Sequence, residues 1–228
     1  MTLRKDEAIN DILIDYEKLA NLVLGQLDEI EKLIASGKLH PDEEQLNLLT
    51  KNEAKINKLE VKLSEDIINS IALYQPVASE IRKLIACYRI VISLERIGDL
   101  TISNVKSMSQ IQNEEVYGSL SGFIMKMMNL SVEMARKSML SFLNQDMELA
   151  LWTIQSEIAV DGFNHKMLKK VAEKATIFSE DKNVLISFIH IKEMVSGIER
   201  IADHAANIAE ASYYSYQGKD IRHKRSHK

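Results

Sequence analysis

The composition of this 228-residue chain is typical of a helical protein. It has only 8 glycines and 2 prolines, too few for the turns of a strand-rich fold, while 46% of its residues are hydrophobic and 27% are charged. The formal net charge of −4 gives no basic footprint for nucleic acid, so we expect no nucleic-acid partner.

Periodic apolar residues predict three long helices in the first half of the chain. The first is expected at about 7–36. Asp42, with Gln45 three residues later, is typical of a capping box that starts a second helix at about 42–73. Pro76 suits the first turn of a third helix, because proline is tolerated where the backbone N–H has no helical partner.

A polar stretch at 110–118 separates this half from a second half with the same plan. A fourth helix is predicted at about 119–143, and Asp146 is expected to cap a fifth. The chain turns again near 179–183. The sixth helix that follows carries apolar residues at alternating steps of four and three, which is typical of a helix-bundle seam.

These elements predict an all-α fold of six long helices, arranged as two tandem three-helix bundles that an internal repeat relates. We expect the first bundle at 1–112 and the second at 119–217. A run of lysine and arginine at 218–228 is expected to be a disordered tail.

The cellular setting is predicted from what the chain lacks. Cys87 is the single cysteine, which excludes an internal disulfide and a cysteine-based zinc site. No apolar run approaches the ~18 residues that a membrane span needs. The charged N-terminus is unlike a secretory signal. We therefore expect a cytoplasmic protein.

The most specific feature is a motif that occurs twice. Leu-Glu-Arg-Ile-Gly-Asp at 94–99 is followed 104 residues later by Ile-Glu-Arg-Ile-Ala-Asp at 198–203. In a helix, the two acids of each copy share one face and lie about 6 Å apart along the axis. They repel each other unless a cation lies between them. The small residues Gly98 and Ala202 would let a neighbouring helix come close.

The preceding helices carry a second pair of oxygen-bearing side chains at the same offset. These pairs lie about as far before the hairpin turn as the motif lies after it, so an antiparallel hairpin brings them to one level. Each half is then expected to gather four oxygen donors: Glu53, Asn57, Glu95 and Asp99 in the first, and Glu157, Asp161, Glu199 and Asp203 in the second.

Two interpretations of these clusters stay open. Converging oxygen ligands without a lysine among them are how proteins hold hard divalent or iron-type cations. Alternatively, Arg96 and Arg200 pair with acids of a neighbouring helix in a solvated salt-bridge stripe, as is common in bundles. No phosphate-binding glycine loop, nucleophile elbow or zinc-protease motif is present, so we predict no enzyme.

The wider context of the motif gives a family resemblance. Residues 94–99 and 198–210, with Gln-Pro-Val-Ala at 75–78, closely resemble the PhoU family of phosphate-transport regulators. The resemblance covers both halves and implies the same double three-helix fold. It also implies multinuclear metal clusters, of iron or zinc with manganese or magnesium as alternatives, at the eight residues named above. Ser103 and Asn207 are weaker candidate ligands.

The resemblance further implies a negative regulator of phosphate uptake and Pho signalling. Such a regulator contacts the ATPase of a phosphate ABC transporter and a membrane sensor histidine kinase, and reaches the membrane only through these partners. The methionine-rich fourth helix makes a homodimer a reasonable expectation. Two alternatives remain: a PhoU-like regulatory domain of a sodium/phosphate cotransporter, and a metal-dependent hydrolase built on the carboxylate clusters.

The chain departs from the family pattern twice, both times in the first half. Asn57 stands where the family usually has Asp, and Ser103 stands where the second half has Asn207. A neutral amide supplies an oxygen but no charge. We therefore expect the first cluster to bind metal more weakly than the second.

Overall fold

The computed structural model describes residues 2–177 and 181–221, and within them it contains six α-helices and no strand. The helices are α1 (Thr2–Ser36), α2 (Glu43–Tyr74), α3 (Ala78–Ser109), α4 (Glu114–Asn144), α5 (Met147–Ile177) and α6 (Lys182–Gln217). With 31 to 36 residues each, they are about 45–55 Å long. The predicted all-α fold class is confirmed.

Two helix starts follow side-chain caps that the sequence predicts, and a third follows a cap that the sequence analysis did not name. The Asp42 carboxylate accepts from the Gln45 backbone N–H at 2.8 Å, and the Gln45 side chain accepts from the Asp42 N–H at 3.2 Å, which completes the capping box. Asp146 caps α5 by accepting from the first backbone N–H groups of that helix. Asp181 does the same for α6. The predicted turn at 179–183 lies partly outside the described residues.

Three helix starts differ from the prediction. Helix α1 begins at Thr2, five residues before the predicted 7. Pro76 lies before α3 and does not form its first turn, since α3 begins at Ala78. The chain reverses direction between α2 and α3, because the backbone of Gln75 is left-handed and that of Val77 is extended. Helix α4 begins five residues before the predicted 119. Asn113 caps it by accepting from the Val116 N–H at 2.9 Å. Two glutamates open its first turn and continue the polar stretch before it, although Val116 and Tyr117, which follow, are buried in the core.

The six helices form two three-helix groups that share one core. Helices α1, α2 and α3 pack on one another, as do α4, α5 and α6, and the groups join along α3 with α6 and along α1 with α4. The apolar core runs through both groups. The tandem bundles are confirmed, whereas the division into domains at 1–112 and 119–217 stays a prediction. Of the predicted tail, residues 222–228 lie outside the described part of the chain.

Helices α3 and α6, which carry the two copies of the motif, approach each other closely at Gly197. A Cβ atom placed on Gly197 would lie 2.1 Å from Oδ1 of Asn104, a buried residue of α3. The glycine therefore sets the distance between the two motif helices. No helix in the described ranges is both long and apolar enough to cross a membrane.

Candidate functional site

The structure brings together three of the four predicted residues of the first half. The carboxyl group of Glu53 on α2 lies within hydrogen-bonding distance of that of Asp99 on α3, and the charge of Glu95 also acts on it. We call Glu53, Glu95 and Asp99 the first carboxylate set. Asn57, one turn beyond Glu53, is exposed to solvent. The predicted hairpin register is thus confirmed for the three acids.

Burial and crowding raise the pKa values of Glu53 and Glu95. The pKa of Glu53 is raised first by burial and then by its hydrogen bond with Asp99, while the hydrogen bond from Gln26 opposes the shift. The pKa of Glu95 is raised by burial and by the charge of Asp99, against the opposing charge of Arg96. Raised carboxyl pKa values mean that the site disfavours its own negative charge, so an added cation would be stabilised there.

Arg96 is a partial counter-ion that belongs to the same helix as two of the acids. Its Nε lies 3.5 Å from Oε2 of Glu95, and its Nη1 lies 3.6 Å from Oδ2 of Asp99. The side chain is 55% exposed, so solvent screens these contacts. In the described part of the chain, Arg96 therefore pairs with acids of its own helix, and the predicted pairing with acids of a neighbouring helix is not found.

Gln26 on α1 also belongs to this site, although the sequence did not indicate it. Its side chain is 0% exposed, and its Nε2 donates to Oε2 of Glu53 at 3.2 Å. Its Oε1 has no hydrogen-bond partner in the described part of the chain. A Cβ atom on Gly98 would lie 3.1 Å from that oxygen, which confirms that this glycine permits a close approach. The equivalent position in the second half is Leu130.

The second half brings Asp161 of α5 to Glu199 and Asp203 of α6. Burial raises the pKa of Asp203 to about 6, and the charges of Glu199 and Asp161 add to the shift, while Arg200 opposes it. We call these three acids the second carboxylate set. Glu157 lies one turn before Asp161 and is half-buried. Glu199 and Asp161 therefore lie near enough to Asp203 for their charges to act on it, as the predicted register requires.

The two sets differ in their arginines. Arg200 is exposed and forms no ion pair within 4.0 Å among residues 2–177 and 181–221, unlike Arg96. The second set therefore keeps more of its negative charge uncompensated. This difference adds to the effect of Asn57, because both leave the first half with less charge to offer a cation.

The donor types fit a cation, although the side chains do not already form a closed coordination shell. Among the described residues, no group of three or more His, Cys, Asp or Glu side chains is arranged to hold a metal ion. The donors are nevertheless oxygen only, and the buried Oε1 of Gln26 lacks a partner beside the first set. Oxygen donors of this kind suit hard divalent cations and iron.

The weaker candidates lie outside the carboxylate sets. Ser103 and Asn207 are both exposed, each one turn beyond the last acid of its motif. Asn207 lines a cavity of about 230 Å³ together with Ser93 and His204. Burial and the charges of Arg200 and Arg96 lower the pKa of His204. This histidine therefore stays neutral near neutral pH.

The family of this chain follows from a match to a protein-family model. The family model described as the PhoU domain matches this chain twice, at 16–108 and at 124–212. The chain belongs to the PhoU family. Each match contains one copy of the repeated motif, so the internal repeat of the sequence corresponds to two PhoU domains.

Curated relatives carry the same family name. A phosphate-specific transport system accessory protein PhoU homolog from Aquifex aeolicus is 32% identical over 206 residues, which cover 90% of each chain. The homolog from Xylella fastidiosa strain 9a5c is 26% identical over 216 residues, or 95% of this chain and 88% of the relative. The family assignment thus extends over nearly the whole chain.

Solved structures confirm the fold. The crystal structure of PhoU from Pseudomonas aeruginosa superposes with a TM-score of 0.78 at 23% identity and covers 94% of this chain and 99% of that one. The phosphate transport system regulatory protein PhoU from Streptococcus pneumoniae gives a TM-score of 0.79 at 21% identity, over 95% and 99% of the two chains. At these identities the likeness establishes the architecture.

Proposed function

We propose that this protein is a non-enzymatic regulatory accessory protein of phosphate transport that restrains phosphate uptake. The observation that carries the proposal is the match of both halves to the PhoU domain. The relatives named as transport accessory proteins support it further, since they align along most of their own length. The same alignment favours an accessory role over that of a cotransporter domain.

The proposed partners are the ATPase of a phosphate ABC transporter and a membrane sensor histidine kinase, and the proposed setting is the cytoplasm. Six helices about 50 Å long offer extended faces for such contacts. A homodimer is part of the proposal. Signalling to gene expression would then pass through the kinase and not through contact with DNA, which the net charge of −4 does not favour.

The proposal assigns metal binding to the two carboxylate sets, with the second set as the stronger site. Glu199 and Asp203 on α6 would share a cation with Asp161, and Glu157 is placed on the same helix as Asp161. Glu53, Glu95 and Asp99 would hold the weaker one. A bound cation supplies positive charge, which offsets the burial and the repulsion that together raise the pKa of Asp203. It would also fasten α5 to α6.

Phosphate uptake in living cells tests the regulatory role. In cells that lack this protein, initial uptake of radiolabelled phosphate under phosphate-replete conditions is expected to rise several-fold, and the intact chain should restore the lower rate. Uptake that stays the same with and without the protein would contradict the proposal. Purified protein given Mn²⁺ or Fe²⁺ is expected to hydrolyse no phosphate ester, and turnover would revive the hydrolase alternative.

A further inference from the structure

An open groove of about 620 Å³ runs between α1 and α2 and is lined by residues of these two helices. Four lysines surround it: Lys18 on α1, and Lys55, Lys58 and Lys62 on α2. Leu22 and Leu59 are the apolar side chains in its wall. We call this surface the lysine groove.

The positive charge of the lysine groove is partly uncompensated. Asp15 binds both Lys18 and Lys62, and Lys62 also binds Asp66. Lys55 and Lys58 form no ion pair in the described part of the chain, and no carboxylate lines the groove. The whole protein, in contrast, has 33 acidic residues against 29 lysines and arginines. The groove is therefore a local basic site on an acidic molecule.

Acidic residues bound the groove at both ends. Beyond Lys62, the next cavity along α1 and α2 is lined by Asp11 and Asp66. Toward the start of α2, the next cavity is lined by Lys51 and, farther from the groove, by the acids Glu43 and Glu44. The basic segment of α2, from Lys51 to Lys62, is about 16 Å long, or three helical turns. A flat anionic surface such as a membrane would meet these flanking acids as well, which disfavours it.

The wall of the groove indicates what kind of ligand it takes. Leu22 and Leu59 are both half-buried and pack against the core while facing the groove. A small inorganic anion gains nothing from such apolar surface, whereas a helix with an apolar stripe does. Two neighbouring long helices also present the shallow channel into which the side-chain ridge of a third helix packs.

We propose that the lysine groove docks an acidic amphipathic helix of a partner protein. Apolar side chains of that helix lie on Leu22 and Leu59, and its flanking aspartates or glutamates pair with Lys55 and Lys58. The eight residues that line the groove include no member of either carboxylate set. The surface is thus separate from the candidate metal centres and adds a partner chemistry to the proposed adaptor.

A designed helical peptide tests the docking. The probe is a stapled peptide of four turns with leucines at i, i+4 and i+7 flanked by glutamates, and its counterpart has lysines in place of the glutamates. We expect the full-length protein to bind the acidic peptide at least tenfold more tightly than the basic one, and more weakly as salt is raised. Equal binding of the two peptides would overturn the proposal.

Charge-reversed variants locate the binding. Lys55→Glu with Lys58→Glu is expected to weaken binding of the acidic peptide at least tenfold. The matched control, Lys106→Glu with Lys192→Glu, changes the net charge equally at exposed positions of α3 and α6 and should weaken binding less than twofold. Circular dichroism establishes that each variant is folded. An equal loss in both double variants would overturn the assignment to the groove.

Two other occupants give distinct results. If a second copy of this chain fills the groove, Lys55→Glu with Lys58→Glu changes the oligomeric state in sedimentation equilibrium. If an anionic lipid fills it, the same variant loses binding to phosphatidylglycerol vesicles while the peptide does not bind. Either result would overturn the proposal. Neither affects the regulatory role, which the phosphate-uptake experiment tests separately.

Discussion

Glu53 on α2 and Asp99 on α3 lie within hydrogen-bonding distance of each other although both side chains are acids. Burial and this contact raise the pKa of Glu53, so the pair is stabilised when it shares a proton or a cation. The Nε2 of Gln26 donates to the same Glu53 carboxylate. The fold thus holds like charges together instead of separating them, which is unfavourable for stability alone and is typical of a site that binds something positive.

Unequal metal loading of the two halves is the first expected outcome. Protein purified without chelator should lose more bound metal in Asp203→Asn than in Asp99→Asn, because the second set has no arginine in contact and no amide in place of an acid. Elemental analysis by mass spectrometry measures the metal per chain. If the Asp99 variant loses more metal than the Asp203 variant, the proposed order of the sites is wrong.

Removing the internal counter-ion should strengthen the first site. Arg96 contacts Glu95 and Asp99 at 3.5 and 3.6 Å, so Arg96→Gln exposes their charge to an incoming cation. We expect Mn²⁺ affinity at the first set to rise about three- to tenfold, which corresponds to the modest free energy of exposed ion pairs. Calorimetric titration in an Asp203→Asn background isolates this site.

Arg200→Gln is the matched control for that measurement. Arg200 occupies the equivalent position of the repeat but makes no ion pair within 4.0 Å in the described part of the chain. In an Asp99→Asn background, its removal should change Mn²⁺ affinity at the second set less than Arg96→Gln changes it at the first. Equal effects of the two substitutions would mean that long-range charge, and not the contact, controls binding.

The sequence predicts the fold well because its signals are local and repeated. Capping by Asp42 and Asp146 and the apolar periodicity of each helix depend on residues close in the chain, and the structure realises both. The meeting of Asp161 with Glu199 and Asp203 could also be predicted, since the position of a hairpin turn determines which residues lie at one level.

The role of Gln26 could not be predicted, because it depends on how α1 packs against the α2–α3 pair and no counterpart repeats it. The contact of Arg96 with acids of its own helix depends on side-chain conformation, which spacing does not specify. The lysine groove could likewise not be predicted from the sequence. Its lysines come from two helices and are interleaved with acids that face elsewhere.

The raised pKa of Asp203 predicts a pH-dependent stability. Its pKa is about 6 in the folded protein, whereas the ordinary pKa of an aspartate side chain is 3.8. The folded state therefore binds more protons than the unfolded state between these values, and the contribution of this group to stability falls as the pH rises from about 4 to about 6. Above pH 6 the ionised group destabilises the metal-free protein by about 1–2 kcal/mol, allowing for solvent screening of a half-buried group.

Asp203→Asn should remove that penalty. With a chelator present, urea unfolding at pH 7.5 is expected to show the variant about 1–2 kcal/mol more stable than the parent, whereas near pH 4 the difference should largely vanish. Saturating Mn²⁺ should reverse the order at pH 7.5, because it stabilises the parent through both carboxylate sets and the variant through the first set alone. A difference that is constant from pH 4 to 7.5 would exclude titration of Asp203 as its cause.

Gly197→Ala should loosen the packing between the two motif helices. The new Cβ would lie 2.1 Å from Oδ1 and 2.9 Å from Cγ of Asn104, which is 1% exposed. Because Asn104 is buried and short, its amide must move, and we expect a loss of about 1–3 kcal/mol in the free energy of unfolding. Gly122→Ala in α4 is the matched control, since no atom lies within 4 Å of its added Cβ. Alanine there should stabilise the helix by about 0.5–1 kcal/mol.

Shortening the obstructing side chain should recover part of the loss, so Asn104→Ala combined with Gly197→Ala is expected to be more stable than Gly197→Ala alone. Failure of that rescue would show that the glycine is required for a reason other than its contact with Asn104.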